Sequence, residues 1–132
     1  MAHVLSALVR DAQGEYRLVN ARNDRVLAES VSRAFDSRSR RRGLLSHTSL
    51  PRGSAMVIAP TSAIHTFFMR FPIDVAFIDR AGRVVKARAG VRPWRIVMAP
   101  RAFAAIEMPE GILAESQTTP GDCLVVCPVV AN

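Results

Sequence analysis

Lysine is nearly absent from this sequence of 132 residues, because seventeen of its eighteen basic residues are arginine. Only eleven acidic residues oppose them, which leaves a formal net charge of +7. A surplus of this sign suits an anionic partner such as nucleic acid, phosphate or a membrane surface. Since the arginines are spread along the chain and not gathered into one tract, we favour a solvated basic surface over a dedicated anion site.

Cysteine is also scarce, with only Cys123 and Cys127. On one strand these positions share a face but lie about 13 Å apart, too far for a mutual disulfide or a shared metal ion. The three histidines, at positions 3, 47 and 65, show no metal-ligand spacing. We therefore expect no metal and no cofactor, with the thiols reduced as in a cytoplasmic protein.

Long apolar runs are missing too. No segment approaches the roughly 18 apolar residues that span a bilayer, and residues 4–9 are too short for the apolar part of a signal peptide. We therefore expect no membrane span and a cytoplasmic location. The apolar share of 49% is nevertheless that of a globular chain, and the length suits a single domain over residues 1–132.

Short apolar or alternating runs separated by turn residues predict a predominantly β, α+β domain. A hairpin loop is expected at residues 79–82, where Gly82 permits a positive φ. Two short helices are expected, at residues 38–45 behind an Asp36-Ser37 cap and at residues 110–116. Strands are expected at residues 16–20, 25–28, 55–58, 73–78, 83–88, 104–108 and 123–130, with a further one at 4–9.

The central stretch from His65 to Asp79 is apolar, yet it carries charged residues. Burying a charge costs several kcal/mol unless it is paired, so these groups should line a cleft or pair with each other. Asp74 interrupts a strand that is otherwise apolar on both faces. We expect its carboxylate to be buried and bonded to His65, Arg70, Arg95 or backbone N–H groups.

Two other features suggest a binding surface. The cluster of Arg38 and Arg40 to Arg42 lacks interleaved aromatics, so a solvated surface is favoured over a nucleic-acid site. Trp94 lies between Arg92 and Arg95 in a loop containing a proline, where it could stack on a base or sugar. Packing in the core is the favoured interpretation for Trp94. The same is expected of most of the phenylalanines of the central stretch, Phe67, Phe68, Phe71 and Phe77.

Six motifs occur in a fixed order along the chain. In that order they resemble the uncharacterised bacterial and archaeal family called domain of unknown function 192, over about residues 16–127. The resemblance implies a small, mainly β, barrel-like domain with an antiparallel or mixed sheet, and it implies no established activity, substrate or cofactor. The motifs are Gly43-Leu44-Leu45, the block from His65 to Asp79, Gly82-Arg83-Val84, Pro93-Trp94, Glu107-Met108-Pro109 and Pro120-Gly121-Asp122.

Three functional hypotheses follow. The first is a non-catalytic module that binds an unknown small molecule or protein in a polar cleft lined by His65, Thr66, Arg70, Asp74, Trp94, Arg95 and Glu107. The second is a hydrolase or lyase in which His65 and Asp74 act as acid and base. The third, less favoured, is nucleic-acid binding through the cluster at Arg38 to Arg42.

Overall fold

The computed structural model describes residues 4–6, 8, 15–35 and 50–129. These residues form ten strands and a short helix, α1 (Ile112–Glu115). The strands are β1 (Tyr16–Asn20), β2 (Arg25–Ala28), β3 (Ser30–Ala34), β4 (Ser54–Ile58), β5 (Ala63–His65), β6 (Ile73–Ile78), β7 (Val84–Val91), β8 (Ile96–Met98), β9 (Ala104–Pro109) and β10 (Leu124–Pro128).

The described strands form three sheets. The central sheet has the order β3-β4-β9-β6-β7 and is mixed, because β3 and β4 are parallel while its other pairs are antiparallel. A second, antiparallel sheet has the order β10-β1-β2. Strands β5 and β8 pair with each other as a two-stranded antiparallel ribbon, called the ribbon below.

The two faces of the central sheet are buried by different elements. Since side chains alternate along a strand, Ala76 and Ile78 of β6 lie on the first face, where they pack with Leu18, Leu124 and Leu113. Ile73, Val75 and Phe77 of β6 lie on the second face, where they pack against the ribbon and the loop of residues 66–72 that follows β5. This second cluster includes Ile64, Met69, Ile73, Val75, Phe77, Val91 and Ala105.

The sequence patterns for these strands are confirmed. All six residues of β6 and all six of β9 are buried, as expected of strands covered on both faces. The hairpin after β6 has Gly82 at a φ of 91°, and a Cβ there would clash with the Leu124 carbonyl oxygen. The predominantly β class is therefore confirmed. The described strands do not close into a barrel, so the barrel-like shape stays a prediction.

Two sequence predictions near the N-terminus are wrong or incomplete. The described part of residues 4–9 is turn and helical, not a strand, and its Leu5 and Leu8 are buried in the core. Ser30–Ala34 is strand β3, which is missing from the strands expected from the sequence. Its pairing with Ser54–Ile58 joins distant segments, so no local pattern reveals it. The helix expected at residues 38–45 lies outside the described residues.

No helix within the described part of the chain has the length and apolar character that a membrane crossing requires.

Candidate functional site

Asp74 is a structural carboxylate. It lies on β6, is fully buried, and points to the first face of the central sheet. Its Oδ1 accepts the backbone N–H of Gly90 at 2.9 Å, and its Oδ2 accepts those of Gly111 at 3.1 Å and Leu113 at 2.9 Å. The expected burial and bonding to backbone N–H groups are confirmed. Asp74 thus joins β6, the end of β7 and the start of α1.

His65 lies elsewhere. It ends β5 in the ribbon, which covers the second face, and its side chain is exposed. The His65 Nδ1 accepts the N–H of Phe67 at 3.3 Å, and the two rings stack at 4.9 Å. His65 and Asp74 are therefore on opposite sides of the central sheet, and the predicted acid–base pair is not formed. The physical reason is the strand alternation, which directs Asp74 away from the ribbon.

Thr66 fastens two loops together, those of residues 66–72 and 92–95. It is fully buried. Its Oγ1 donates to the Arg92 carbonyl at 2.6 Å and accepts the Arg95 N–H at 2.9 Å. The Thr66 N–H donates to the Arg95 carbonyl at 2.8 Å, and the Trp94 N–H donates to the Thr66 carbonyl at 3.0 Å. These four bonds fix where both loops place their side chains.

The side chains placed in this way are aromatic and exposed. Phe68 is 68% exposed and Trp94 is 56% exposed, and their ring centroids lie 4.6 Å apart with planes at 59°. Both residues have positive φ, 67° and 66°, a conformation that is strained for bulky side chains. The prediction that Trp94 packs in the core is wrong, because the loop bonded to Thr66 turns the indole towards water.

The ribbon extends this apolar area. His65 pairs with Ile96 across the ribbon, and Ala63 pairs with Met98. Ile96 is 62% exposed and Met98 is 59% exposed. We call Phe68 and Trp94 the aromatic pair. Ring contacts from His65 through Phe67 to Trp94 connect the ribbon with this pair. We call Phe68, Trp94, Ile96 and Met98 the exposed apolar surface. Contiguous patches of this kind mark interaction sites.

A groove runs beside this surface, between β7 and the ribbon. It encloses about 390 Å³ and is lined by four basic side chains, those of Lys86, Arg88, Arg92 and Arg95, and no acidic residue lies among its described lining residues. The Lys86 Nζ donates to the Met98 carbonyl at 2.7 Å, which ties the two walls together. Because Ile96 and Met98 also line it, this basic groove and the exposed apolar surface are continuous.

Glu107 lies in the interior, on β9 between Met56 and Val75 of the neighbouring strands. It is 4% exposed, and its Oε2 has no hydrogen-bond partner among the described residues. Burial raises the pKa of Glu107 to about 7. It is therefore part of the second-face core and lines neither the groove nor the exposed apolar surface.

The structure thus divides the seven predicted site residues. It brings together His65, Thr66, Trp94 and Arg95, and it places Arg70 exposed on the same loop. Asp74 and Glu107 are buried at other places, so the seven do not line a single cleft. The cluster at Arg38 to Arg42 lies outside the described residues.

Sequence reasoning missed Phe68, Ile96, Met98, Lys86 and Arg88. The apolar character of Phe68 predicts a core position, and the three-residue strand β8 is too short to give a periodic signal. The only available signal was the basic residues flanking Trp94. Within the described part of the chain, no three His, Cys, Asp or Glu side chains are grouped to hold a metal ion, and both cysteines are free.

Comparisons with known proteins concern the fold and the family. No curated protein matches the chain. Two solved structures share its fold, each at 20% sequence identity. One is a candidate transcription regulator from Sinorhizobium meliloti 1021, with a TM-score of 0.75 over 86% of this chain and 92% of the other. The second is a Novosphingobium aromaticivorans DSM 12444 protein of unknown function, with a TM-score of 0.71 over 83% and 82%.

The family model DUF192, described as an uncharacterised ACR family, matches residues 18–126. This span covers most of the chain and contains all the described strands except the first two residues of β1 and the last two of β10. The protein therefore belongs to the family called domain of unknown function 192.

Proposed function

We propose that this protein is a non-catalytic binding module whose ligand or protein partner occupies the exposed apolar surface and the basic groove beside it. One observation carries the proposal: Phe68 and Trp94 are both mostly exposed and both held at positive φ. Each strained backbone position costs about 1–3 kcal/mol. Folding gains little from exposing two aromatic rings at that cost, whereas a binding site gains two rigid, preformed contacts.

The proposed site includes some of the residues that the sequence assigns to a polar cleft, and it excludes others. His65, Thr66, Trp94 and Arg95 remain part of it as a ligand surface and its support. Asp74 leaves the site, because its carboxylate already accepts three backbone N–H groups.

The enzymatic alternative stays a prediction with less support. Asp74 would have to give up its backbone bonds to act as a base. His65 has no hydrogen bond to a carboxylate among the described residues. Its Nδ1 accepts the Phe67 N–H instead, so no acid–base partner is in place for proton transfer. Nucleic-acid binding through Arg38 to Arg42 also stays a prediction.

Two further proposals concern the overall shape of the domain and its location in the cell. A barrel-like arrangement would require further pairing around the three sheets. A cytoplasmic location agrees with cysteines that are not joined to each other. The description of the Sinorhizobium meliloti protein agrees with a binding role, although 20% identity supports only a shared fold.

Trp94 provides the test, because it is the only tryptophan in the chain. Its fluorescence would be recorded against mononucleotides, single-stranded oligonucleotides and acidic peptides, with thermal shifts measured in parallel. We expect one class to change the emission and raise the Tm of the parent and of the control Val26→Ala, which alters an exposed apolar residue elsewhere. Phe68→Ala should lose most of that response. A panel without any response, or an unchanged response in Phe68→Ala, would contradict the proposal.

A further inference from the structure

We infer that the site binds a single strand of nucleic acid, with phosphates along the basic groove and bases stacked on the aromatic pair. This inference rests on the proposed function and names its ligand class. The phosphate contacts are assigned to Lys86, Arg88, Arg92 and Arg95, and the stacking contacts to Phe68 and Trp94.

The spacing of the basic side chains on β7 suits a polyanion. Lys86 is paired with Phe77 and Arg88 with Val75, and both partners belong to the second-face cluster. Both cations therefore point to the side that carries the ribbon. Residues two apart on a strand lie about 6.6 Å from each other, which is comparable to the distance between successive phosphates of an extended single strand.

No ion pair among the described residues compensates the charge of the groove. Across the described residues, the two ion pairs are Arg22 with Asp122 and Arg52 with Glu115, and neither involves a groove residue. Four cations without a carboxylate among them repel each other, and a bound anion relieves that repulsion. A row of phosphates supplies such charge at each step, together with release of its condensed counterions.

The aromatic pair indicates bases. Phe68 and Trp94 are tilted at 59° to each other, and Phe67 contacts Trp94 at 5.7 Å. Both Phe68 and Trp94 nevertheless stay mostly exposed and therefore accessible to a base. Aromatic platforms beside a positive groove are typical of single-strand binding, in which bases stack on the rings. In a duplex the base faces are already stacked on each other, so this platform would bind a duplex less well.

An acidic peptide is the competing ligand class. It would also satisfy the four cations, and Ile96 and Met98 would suit its apolar side chains. It gives less reason for two aromatic rings to be held with their faces exposed at a strained backbone. We therefore favour the single strand and treat the acidic peptide as an outcome of the test.

The test uses the full chain and a fluorescein-labelled single-stranded oligothymidylate. Binding is followed by anisotropy and by quenching of Trp94, over a range of salt concentrations. We expect the oligothymidylate to bind and to quench Trp94, and a duplex of equal length to bind more weakly. The logarithm of the binding constant should fall linearly with the logarithm of the salt concentration, with a slope of roughly −0.7 for each phosphate contacted.

Matched variants separate charge from stacking. Arg88→Ala combined with Arg92→Ala should weaken binding at least tenfold and make the salt slope shallower by roughly 1.4. The control pair Arg83→Ala and Arg101→Ala, both exposed outside the groove, should change neither. Phe68→Ala should weaken binding by roughly five- to a hundredfold with the salt slope unchanged. All five positions are exposed, and a melting curve for each variant checks that it folds.

Three results would overturn the inference. The first is the absence of oligonucleotide binding, and the second is binding that the groove and Phe68 variants leave unchanged. The third is loss of binding on changing Arg40, Arg41 and Arg42 together to Ala. If polyglutamate binds instead and Phe68→Ala abolishes that binding, the single strand is refuted while the proposed binding surface stands. If neither probe quenches Trp94 and the wider panel gives no response, both the inference and the proposed function fail.

Discussion

Replacing Asp74 by alanine tests whether this carboxylate is a structural tie. The wild-type side chain is fully buried and accepts hydrogen bonds from the backbone N–H groups of Gly90, Gly111 and Leu113. Asp74→Ala removes all three acceptors at once. It also leaves a space on the first face of the central sheet, where the neighbouring atoms can close in only partly.

The cost follows from the three donors. The Leu113 N–H bond is buried, so its loss carries the full penalty for an unsatisfied buried donor, about 1–3 kcal/mol. The bonds from Gly90 and Gly111 are only partly buried, so water can replace the carboxylate there at about 1 kcal/mol each. The expected total is about 3–5 kcal/mol. A domain with 5–15 kcal/mol of stability would lose a large fraction of it.

Urea denaturation at neutral pH measures this loss as a lower midpoint with an unchanged m-value. Asp74→Asn should lose less, about 1–2 kcal/mol, because its one amide oxygen can still serve the two donors near α1. Asp79→Ala is the matched control. Its Oδ1 also accepts two backbone N–H groups, those of Ala81 and Arg83, but in a hairpin loop that water reaches, so it should cost less than about 1 kcal/mol.

Asp74 is not a structural tie if Asp74→Ala is as stable as the parent, or if Asp79→Ala lowers the free energy of unfolding by as much as Asp74→Ala. In either case the backbone bonds of Asp74 would not hold the fold together. A functional carboxylate at this position would then become the better account.

Three further predictions concern charge and thiols. Burial raises the pKa of Glu107 to about 7, so the parent should lose about 3 kcal/mol of stability as the pH rises from about 4.5 through 7. Glu107→Gln should not show this loss. Urea denaturation of both proteins at pH 5 and pH 8 measures most of the change in the free energy of unfolding. The Arg22 guanidinium, a backbone N–H and an amide hold the pKa of Asp122 well below its usual range. Its stabilisation is therefore complete above about pH 4 and is lost as the pH falls, so the stability of Asp122→Asn should vary less with pH in acid. Because both cysteines are free, neither chelator nor reductant should lower the Tm, whereas a structural zinc or disulfide would show a drop of several degrees.

Local patterns were sufficient for the strands that carry most of the core. Strands β6 and β9 are apolar at every position but one, and this composition directly indicates burial on both faces. The one exception in β6, Asp74, was also interpretable. A charge within such a strand must be compensated, and backbone N–H groups were among the expected partners.

What the sequence could not provide was pairing between distant segments. Strand β3 depends on a parallel partner twenty-four residues later, as the register Ser30 to Ser54 shows. Strand β8 has three residues and, among the strands that the structure describes, pairs only with the equally short β5. Strand β8 has too few residues for a period to be recognised, and Val31 and Ala34 are the only apolar residues of β3. Both strands therefore depend on tertiary packing. The side of the sheet on which His65 lies was therefore also hidden.

The same limit explains why Phe68 and Trp94 were misjudged. Apolar character predicts that a side chain prefers to leave water, but it does not say whether the covering atoms belong to the same chain. The loops fastened by Thr66 hold both rings outside the core, at a backbone conformation that neither residue would adopt freely. A sequence pattern shows that the residue is apolar, but it does not show that its backbone is strained at a positive φ. Exposure, backbone strain and the positive charge of the adjacent groove together distinguish this surface from a core position. They are the reason why we propose that a ligand covers it.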